Sequence, residues 1–217
     1  MEQVKHWRVT YNNIHNLIRK NTPKVAAEFN PDLLAVGQCE PVAYTCQRLI
    51  HCRGFFPARV MRTFLREQTD KKTLQIQAIG LSLYEPVEGG TAEQIGQEVV
   101  RTQWLGPDAG KLLVGKRTLI VDEVDDTRKT LHYALSELQK DVDKELASHP
   151  ESERGALRAA TQFGVFVVHN KLKPKLAELP ASLPYYAGAE VGDVWLDYPW
   201  EMIDIEEHDR LAGTQIL

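Results

Sequence analysis

Four carboxylates follow directly after an apolar run near the middle of the chain. The apolar run is 118–121, and the polar side chains after it are Asp122, Glu123, Asp125, Asp126, Thr127, Arg128, Lys129 and Thr130. Carboxylates this close repel one another unless a cation or a ligand offsets their charge. Hydroxyls, cations and the free N–H groups of a helix N-terminus bind phosphate. The pattern therefore predicts a site for a phosphate that arrives with a divalent cation. The alternative is an acidic helix cap followed by a solvated first turn.

Two elements must position these side chains. The apolar run before them predicts a buried strand. After them, apolar residues recur at helical spacing, namely Leu131, Ala134, Leu135, Leu138 and Val142. This spacing predicts an amphipathic helix packed on the sheet. The acidic segment then lies at a strand-to-helix junction, where α/β folds bind ligands.

The remaining patterns predict an α/β order around this junction. Helices are expected over 10–27 and from Pro57, and strands over 32–36, 74–83 and 163–168. Residues 84–104 are expected to form either a long loop that closes over the site or a surface hairpin. Residues 140–161 are charged and weakly apolar, which predicts an exposed helix or loop.

Composition limits the class of protein. A chain of 217 residues with 43% hydrophobic content is expected to form one domain. The net charge of −4 disfavours nucleic-acid binding. The sequence has no apolar run of membrane-spanning length, and its first residues do not resemble a signal peptide, so a cytoplasmic location is expected.

Two possible sites can be set aside from their spacing. Cys39, Cys46 and Cys52 match no usual zinc pattern, and an odd number of cysteines disfavours a disulfide framework. Residues 110–117 approach the Walker A spacing. However, Arg117 replaces the required Ser or Thr, and the segment leads into a strand rather than a helix.

The acidic segment resembles the phosphoribosyl pyrophosphate signature of the type I phosphoribosyltransferases, which is a strand, two acids, two residues and then Asp-Thr-x-x-Thr. Segments similar to the fungal 6-oxopurine enzymes span nearly the whole chain: 11–13, 56–59, 77–85, 101–104 and 195–200. Among these enzymes xanthine phosphoribosyltransferases match best, and hypoxanthine-guanine phosphoribosyltransferases follow. The resemblance implies an α/β fold with a central, mostly parallel sheet flanked by helices and a small hood from the C-terminal segment.

The resemblance also implies roles for the acidic segment. Asp122 and Glu123 match the acids that hold the ribose hydroxyls and magnesium, and Asp126 matches the general acid/base that faces the purine N7. The implied 5′-phosphate cradle is Thr127, Arg128, Lys129 and Thr130. Two positions depart from the common pattern. Arg128 replaces a glycine and is expected either to contact phosphate or to be solvated. Asp125 replaces an apolar residue and is expected to face outward.

Purine recognition is expected in the last third of the chain. Trp195 offers a flat face for stacking and Asp197 a hydrogen-bond acceptor, and the resemblance implies that Leu196 reads the base through its main chain. Lys171 matches the lysine that contacts the purine 6-oxo group, with Lys173 as the alternative. A cationic donor at this place favours 6-oxopurines over adenine.

One segment interrupts the implied pyrophosphate loop. The family has a short glycine-rich turn there, which Gly37, Arg53 and Gly54 would form, but 38–52 lies between them. This insert is interpreted either as a surface excursion or as an unspliced intron. The interruption leaves a second function open, that of a non-catalytic regulator that binds phosphoribosyl pyrophosphate. The family further implies a homodimer or homotetramer.

Overall fold

The computed structural model describes residues 5–41, 54–83 and 99–214. Its strands are β1 (His6–Arg8), β2 (Leu33–Pro41), β3 (Gln75–Leu83), β4 (Val99–Gln103), β5 (Arg117–Asp125), β6 (Gln162–Lys171), β7 (Tyr185–Val191) and β8 (Trp195–Asp197). Its helices are α1 (Tyr11–Glu28), α2 (Phe55–Gln68), α3 (Ala109–Leu113), α4 (Lys129–Ser148), α5 (Glu151–Ala160) and α6 (Ile205–Gly213), with a 3-10 turn at Pro199–Glu201.

Six strands form the main sheet in the order β4-β3-β2-β5-β6-β7. All neighbours are parallel except β3 and β4. β5 lies inside the sheet, where its Val121 pairs with Val36 of β2 and Phe166 of β6. Parallel strands need cover on both faces. Here α1 and α2 pack on one face, and α3 and α4 on the other. The expected α/β class with a mostly parallel sheet is confirmed.

The helices follow the apolar spacing of the sequence. Thr10 caps α1 through a reciprocal hydrogen bond with Asn13, and Ile14 and Ile18 are buried. All five apolar residues predicted for the buried side of α4 are buried. α5 has no buried residue, which agrees with an exposed helix over that part of the chain.

Two boundaries differ from the prediction. The strand expected to end before Gly37 continues as β2 to Pro41, because β3 pairs with it up to Leu83. The end of the expected loop 84–104 is strand β4, antiparallel to β3, and residues 84–98 lie outside the described residues. β4 is fixed to α4 because Arg101 forms ion pairs with Glu137 at 2.7 Å and Asp141 at 2.9 Å.

A small second sheet forms the hood. β1 and β8 pair in parallel, and α6 packs beside them, where His208 Nε2 lies 3.0 Å from the Val9 carbonyl oxygen. The hood therefore combines the C-terminal segment with a strand from the N-terminal end. In the described part of the chain, every helix is too short or too polar to cross a lipid bilayer.

Candidate active site

The first two acids lie at the carboxyl end of β5 and are buried, with 6% of Asp122 and 2% of Glu123 exposed. Asp122 Oδ1 accepts a hydrogen bond of 2.8 Å from the Glu123 backbone N–H. Trp200 Nε1 donates to Glu123 Oε2 at 3.0 Å. These contacts fix both carboxylates at the carboxyl end of β5. The predicted strand ended at residue 121, but β5 continues to Asp125, so both acids lie within the strand and not after it.

The third acid was expected to face outward, and that expectation is wrong. The Asp125 side chain is fully buried. Its Oδ2 accepts two hydrogen bonds from Arg128 and one of 2.8 Å from the Tyr185 hydroxyl. Lys175 Nζ lies 3.5 Å from Oδ1. Tyr185 and Lys175 approach from β7 and from the segment after β6, so the sequence around Asp125 does not show them. Burial and the neighbouring Asp125 charge raise the pKa of Tyr185, so its hydroxyl stays protonated and donates.

Arg128 has a structural partner. Its guanidinium is bound to Asp125 and lies 5.2 Å from the centre of the Tyr185 ring, and 23% of the side chain remains exposed. The backbone at Arg128 has φ of 70°, in the left-handed region that glycine favours. Glycine adopts this conformation without strain, whereas Arg128 adopts it beside its ion pair with Asp125.

The turn between β5 and α4 presents backbone donors. α4 begins at Lys129, and its N-cap residue Arg128 makes no side-chain cap hydrogen bond. The first N–H groups of a helix then stay available to an anion. Lys175 Nζ donates to the carbonyl oxygens of Asp125 and Asp126, at 2.7 and 3.1 Å, and holds the turn in place. Thr127 and Thr130 lie on this same turn.

The fourth acid is half-exposed and faces lysines. Asp126 lies 2.6 Å from Lys173 Nζ and 3.4 Å from Lys171 Nζ. Burial by itself would raise the pKa of Asp126, but the contacts with Lys173 and Lys171 outweigh it and lower the pKa. Both lysines also reach Asp193, which lies just before β8. The structure thus brings Asp126 together with both lysines that the sequence left as alternatives.

The hood carries the residues expected to bind the purine. Trp195 is 52% exposed, and its ring centre lies 6.3 Å from that of His6. Leu196 is buried. Asp197 lies with Oδ2 2.9 Å from His6 Nδ1, so the expected acceptor already has a partner. The open ring of Trp195 leaves a flat apolar face for a stacked base.

Two glycines stand beside the buried acids. A Cβ atom on Gly37 would lie 3.4 Å from Asp122 Oδ2, and one on Gly54 would lie 2.1 Å from the Val121 carbonyl oxygen. The Gly54 N–H donates to the Gly37 carbonyl oxygen at 3.4 Å. The two glycines on either side of the insert therefore lie next to each other. Arg53 and residues 42–52 of the insert lie outside the described residues.

Comparisons with known proteins show which family the chain belongs to. The chain is 46% identical to hypoxanthine-guanine phosphoribosyltransferase of Schizosaccharomyces pombe, covering 92% of this chain and 91% of that protein. It is 41% identical to xanthine phosphoribosyltransferase 1 of Saccharomyces cerevisiae, covering 99% of both. The chain belongs to the purine phosphoribosyltransferase family. No protein-family model matches it.

Solved structures agree with the fold of a phosphoribosyltransferase. A hypothetical protein from Neisseria gonorrhoeae with bound ppGpp has a TM-score of 0.69 and 31% identity, over 98% of both chains. The purine phosphoribosyltransferase from Pyrococcus horikoshii has a TM-score of 0.57 and 20% identity, over 92% of this chain and 96% of that one. At that identity the second likeness concerns the fold alone.

Sequence reasoning missed several side chains of this phosphoribosyltransferase site. Lys175 and Tyr185 hold Asp125, Asp193 contacts the lysines, and Trp200 holds Glu123. One signal was present, because lysines alternate at 171, 173 and 175 from the end of β6, and such spacing brings cations to one place. The partners of Asp125 had no local signal, since Tyr185 lies 60 positions away.

Proposed function

We propose that this purine phosphoribosyltransferase transfers ribose 5-phosphate from phosphoribosyl pyrophosphate to a ring nitrogen of a 6-oxopurine, releasing pyrophosphate. The observation that carries the proposal is the β5–α4 turn, where two buried carboxylates, the accessible Asp126 and an uncapped helix N-terminus occur together. The relatives named for hypoxanthine-guanine and xanthine support the same class of base.

In the proposed reaction, charged groups of the protein lie where the transition state develops the opposite charge. Breaking the bond at the anomeric carbon develops positive charge on the ribose, which Asp122 and Glu123 stabilise while holding its hydroxyls. The 5′-phosphate binds the backbone N–H groups of residues 127–130 in the turn and the hydroxyls of Thr127 and Thr130. Gly37, Arg53 and Gly54 are proposed for the pyrophosphate, where the two glycines permit close backbone approach.

The base is proposed to lie between the hood and the lysines. Trp195 stacks on it, the Leu196 main chain reads its exocyclic group, and Lys171 donates to the 6-oxo oxygen. Asp126 accepts or returns the proton at N7. In the described structure Asp126 is paired with Lys173 and Lys171, so we propose that an incoming base separates them and takes Lys171 as its own donor.

Magnesium fits the donors of the acid pair. Carboxylate oxygens are hard ligands, and Mg²⁺ usually takes one or two of them and completes its shell with water and substrate phosphates. The described residues contain no group of three or more His, Cys, Asp or Glu placed to hold a metal. Asp122 and Glu123 would therefore hold the ion jointly with the substrate. Bound there, magnesium would stabilise the negative charge of the leaving pyrophosphate.

Three further parts of the proposal rest on composition and on the resemblance to the family. We propose that the chain is a single domain, that it acts in the cytoplasm, and that it forms a homodimer or homotetramer. Sedimentation of the purified protein would test its oligomeric state, and a monomer at micromolar concentration would contradict the proposed assembly.

The activity is tested by a spectrophotometric assay with phosphoribosyl pyrophosphate, magnesium and one base at a time. Nucleotide is expected from xanthine, hypoxanthine or guanine and not from adenine. Product from adenine alone would contradict the proposed role of Lys171. Binding of phosphoribosyl pyrophosphate without nucleotide from any base would favour a regulator over an enzyme.

The role of Asp126 is tested by Asp126→Asn. Loss of a general acid or base typically lowers turnover about 10²- to 10⁴-fold. We expect a loss of this size in kcat with little change in the Kd for phosphoribosyl pyrophosphate. Asp193→Asn is the matched control, because Asp193 contacts the same two lysines. Equal losses of turnover and substrate affinity in Asp126→Asn would contradict the proton-transfer role.

A further inference from the structure

Lys175 joins the ends of two neighbouring strands. Its Nζ donates to the backbone carbonyl oxygens of Asp125 and Asp126 at 2.7 and 3.1 Å, and to that of Lys171 at 2.9 Å. Asp125 is the last residue of β5 and Lys171 the last of β6, and these strands are neighbours in the sheet. An ammonium group has three hydrogens to donate. The three carbonyl oxygens therefore use all the hydrogen-bond donors of Lys175.

Lys175 is too enclosed to serve as a substrate ligand. Its side chain is 14% exposed, and the carboxylate of Asp125 lies 3.5 Å from Nζ and balances its charge. Hydrogen bonds in such an enclosed place are stronger than the same bonds in water. Because its donors are already occupied, any effect of Lys175 on a ligand must pass through the backbone atoms that it holds.

The connection lies where the pairing between the two strands has ended. The ladder of β5 with β6 stops at Asp125 and Asn170, so it does not set the position of Asp126 relative to Lys171. Lys175 continues the connection by one residue on each strand, since it binds the carbonyl oxygens of both. The Lys171 side chain is only 10% exposed, and packing around it limits its rotamers. The position of Lys171 Nζ therefore follows that of its backbone.

The two residues connected in this way are those proposed to read one edge of the base. Lys171 Nζ lies 3.4 Å from Asp126 Oδ2. In a 6-oxopurine, N7 and the 6-oxo oxygen are adjacent acceptors on one edge of the ring, whereas a 6-aminopurine has a donor next to N7. A donor from Lys171 beside a carboxyl group from Asp126 matches the first edge only if their separation is kept.

We propose that Lys175 is a positioning residue that makes the site select a 6-oxopurine over a 6-aminopurine, by holding Lys171 beside Asp126. This inference rests on the proposed function, which places the base at these two residues. Without the connection, the end of β6 moves independently of the β5–α4 turn. Lys171 then loses its alignment with the 6-oxo oxygen while Asp126 still reaches N7, which both kinds of purine carry.

The test is the binding of IMP and of AMP to the full chain, measured by calorimetry. The two nucleotides share the ribose and the 5′-phosphate and differ at position 6, which is oxo in IMP and amino in AMP. A change in the phosphate-binding turn affects both Kd values alike and cancels in their ratio. We expect the parent protein to bind IMP at least about tenfold more tightly than AMP, because a site built around a hydrogen bond rejects the analogue that cannot form it.

Lys175→Met removes the three donors and is expected to reduce the preference for IMP at least about fivefold. Lys140→Met is the matched control, because it removes the same charge from a lysine that is 70% exposed. It should leave both Kd values unchanged. Lys171→Met should lower the preference as far as Lys175→Met does, and the double variant should lower it no further than Lys171→Met alone.

Two results would overturn the proposal. Equal weakening of IMP and AMP binding in Lys175→Met would make Lys175 a support of the phosphate-binding turn only. A further loss of preference in the double variant would mean that Lys175 acts independently of Lys171. If Lys175→Met is insoluble, Lys175→Arg replaces it in the same comparison. Arginine keeps the charge beside Asp125, but its planar fork cannot direct three donors from one atom, so the same loss of preference is expected.

The measurement also separates this inference from the proposed function. Absence of nucleotide formation from every base would contradict the proposed transfer reaction but not the inference, because the readout here is binding. Equal binding of IMP and AMP by the parent protein would contradict the proposed contact of Lys171 with the 6-oxo oxygen, and the inference with it.

Discussion

The four acids lie in the last residues of β5 and directly after it, and each has a different partner that limits its repulsion from the others. Asp122 accepts a backbone N–H, and Glu123 is held by Trp200. Asp125 is neutralised internally by Arg128, and Asp126 faces two lysines. The acids therefore divide into a pair at the proposed ribose site, a structural member and a titratable member. A cation at the first pair is compatible with this division, but the other two acids already have cations from the protein.

His169 makes a prediction about acid stability. Burial lowers its pKa from about 6.5 to about 4. Between those pH values the unfolded chain binds more protons at this residue than the folded one, so the free energy of unfolding falls as the pH decreases through that window. The shift corresponds to about 3 kcal/mol. His169→Gln should flatten this part of the pH dependence, measured by urea unfolding.

The control for this experiment is His15→Gln, because His15 is an exposed histidine of α1. It should leave the slope between pH 6.5 and pH 4 as in the parent protein. If His169→Gln loses as much stability over that window as the parent does, another group is responsible for the acid sensitivity.

At the scale of elements, the β5–α4 turn depends on one ion pair. Arg128→Gly keeps a residue that tolerates φ of 70° but leaves buried Asp125 without its main cation. A buried charge that loses its partner destabilises strongly, by about 3–5 kcal/mol. Arg128→Ala should be about 1 kcal/mol worse than Arg128→Gly, because left-handed backbone is strained for alanine.

A double variant separates the two effects. Asp125→Asn with Arg128→Gly removes the unpaired charge and should recover a large part of the stability lost in Arg128→Gly, measured by urea unfolding. If Arg128→Gly is as stable as the parent protein, the ion pair does not hold the turn. If the double variant recovers nothing, loss of the charge partner is not the cause.

Periodicity predicted the elements whose folding is decided locally. The helical spacing after Thr130 gave the buried side of α4 correctly, and the apolar run placed β5. Pairing between distant segments was not predictable in the same way. β2 extends past Gly37 because β3 pairs with it there, and β1 pairs with β8, which is distant from it in the sequence. Hydrogen bonds between strands leave no periodic signal in either strand alone.

The candidate site shows the same difference between features set by adjacent residues and features set by distant segments. The acidic segment was recognisable because its members are contiguous, whereas the outward orientation expected for Asp125 failed because its partners come from other elements. The acid pair was visible in the sequence, but its support by Trp200 was not. A contiguous motif shows which side chains are present at a site. The packing of distant segments determines which of those side chains already have a hydrogen-bond or ion-pair partner within the protein.

For the whole molecule, the insert at 38–52 makes the sharpest prediction. Gly37 and Gly54 are already joined by a hydrogen bond between the Gly37 carbonyl and the Gly54 N–H. Deletion of 38–52 would leave only Arg53 between them, and a bond from residue i to i+2 is the bond of a γ-turn. The shortened chain should therefore fold, with tighter binding of phosphoribosyl pyrophosphate than the full chain, measured by calorimetry.

The deletion also removes the part of β2 beyond Gly37 that pairs with β3. A shortened chain that fails to fold, or that folds and binds phosphoribosyl pyrophosphate more weakly, would make the segment an integral part of the protein. Sequencing of the transcript is an independent check, because a message that retains the segment in every read rules out an unspliced intron.

Trp200 connects the aromatic residues of the hood with the acid pair. Its ring stacks on Phe56 and on Tyr198, with interplanar angles of 2° and 9°, and its indole N–H is bound to Glu123. Indole emission responds to the charge and hydrogen bonding around the ring. The fluorescence of Trp200 should therefore change when phosphoribosyl pyrophosphate binds at the proposed ribose site, so that binding can be followed without a label.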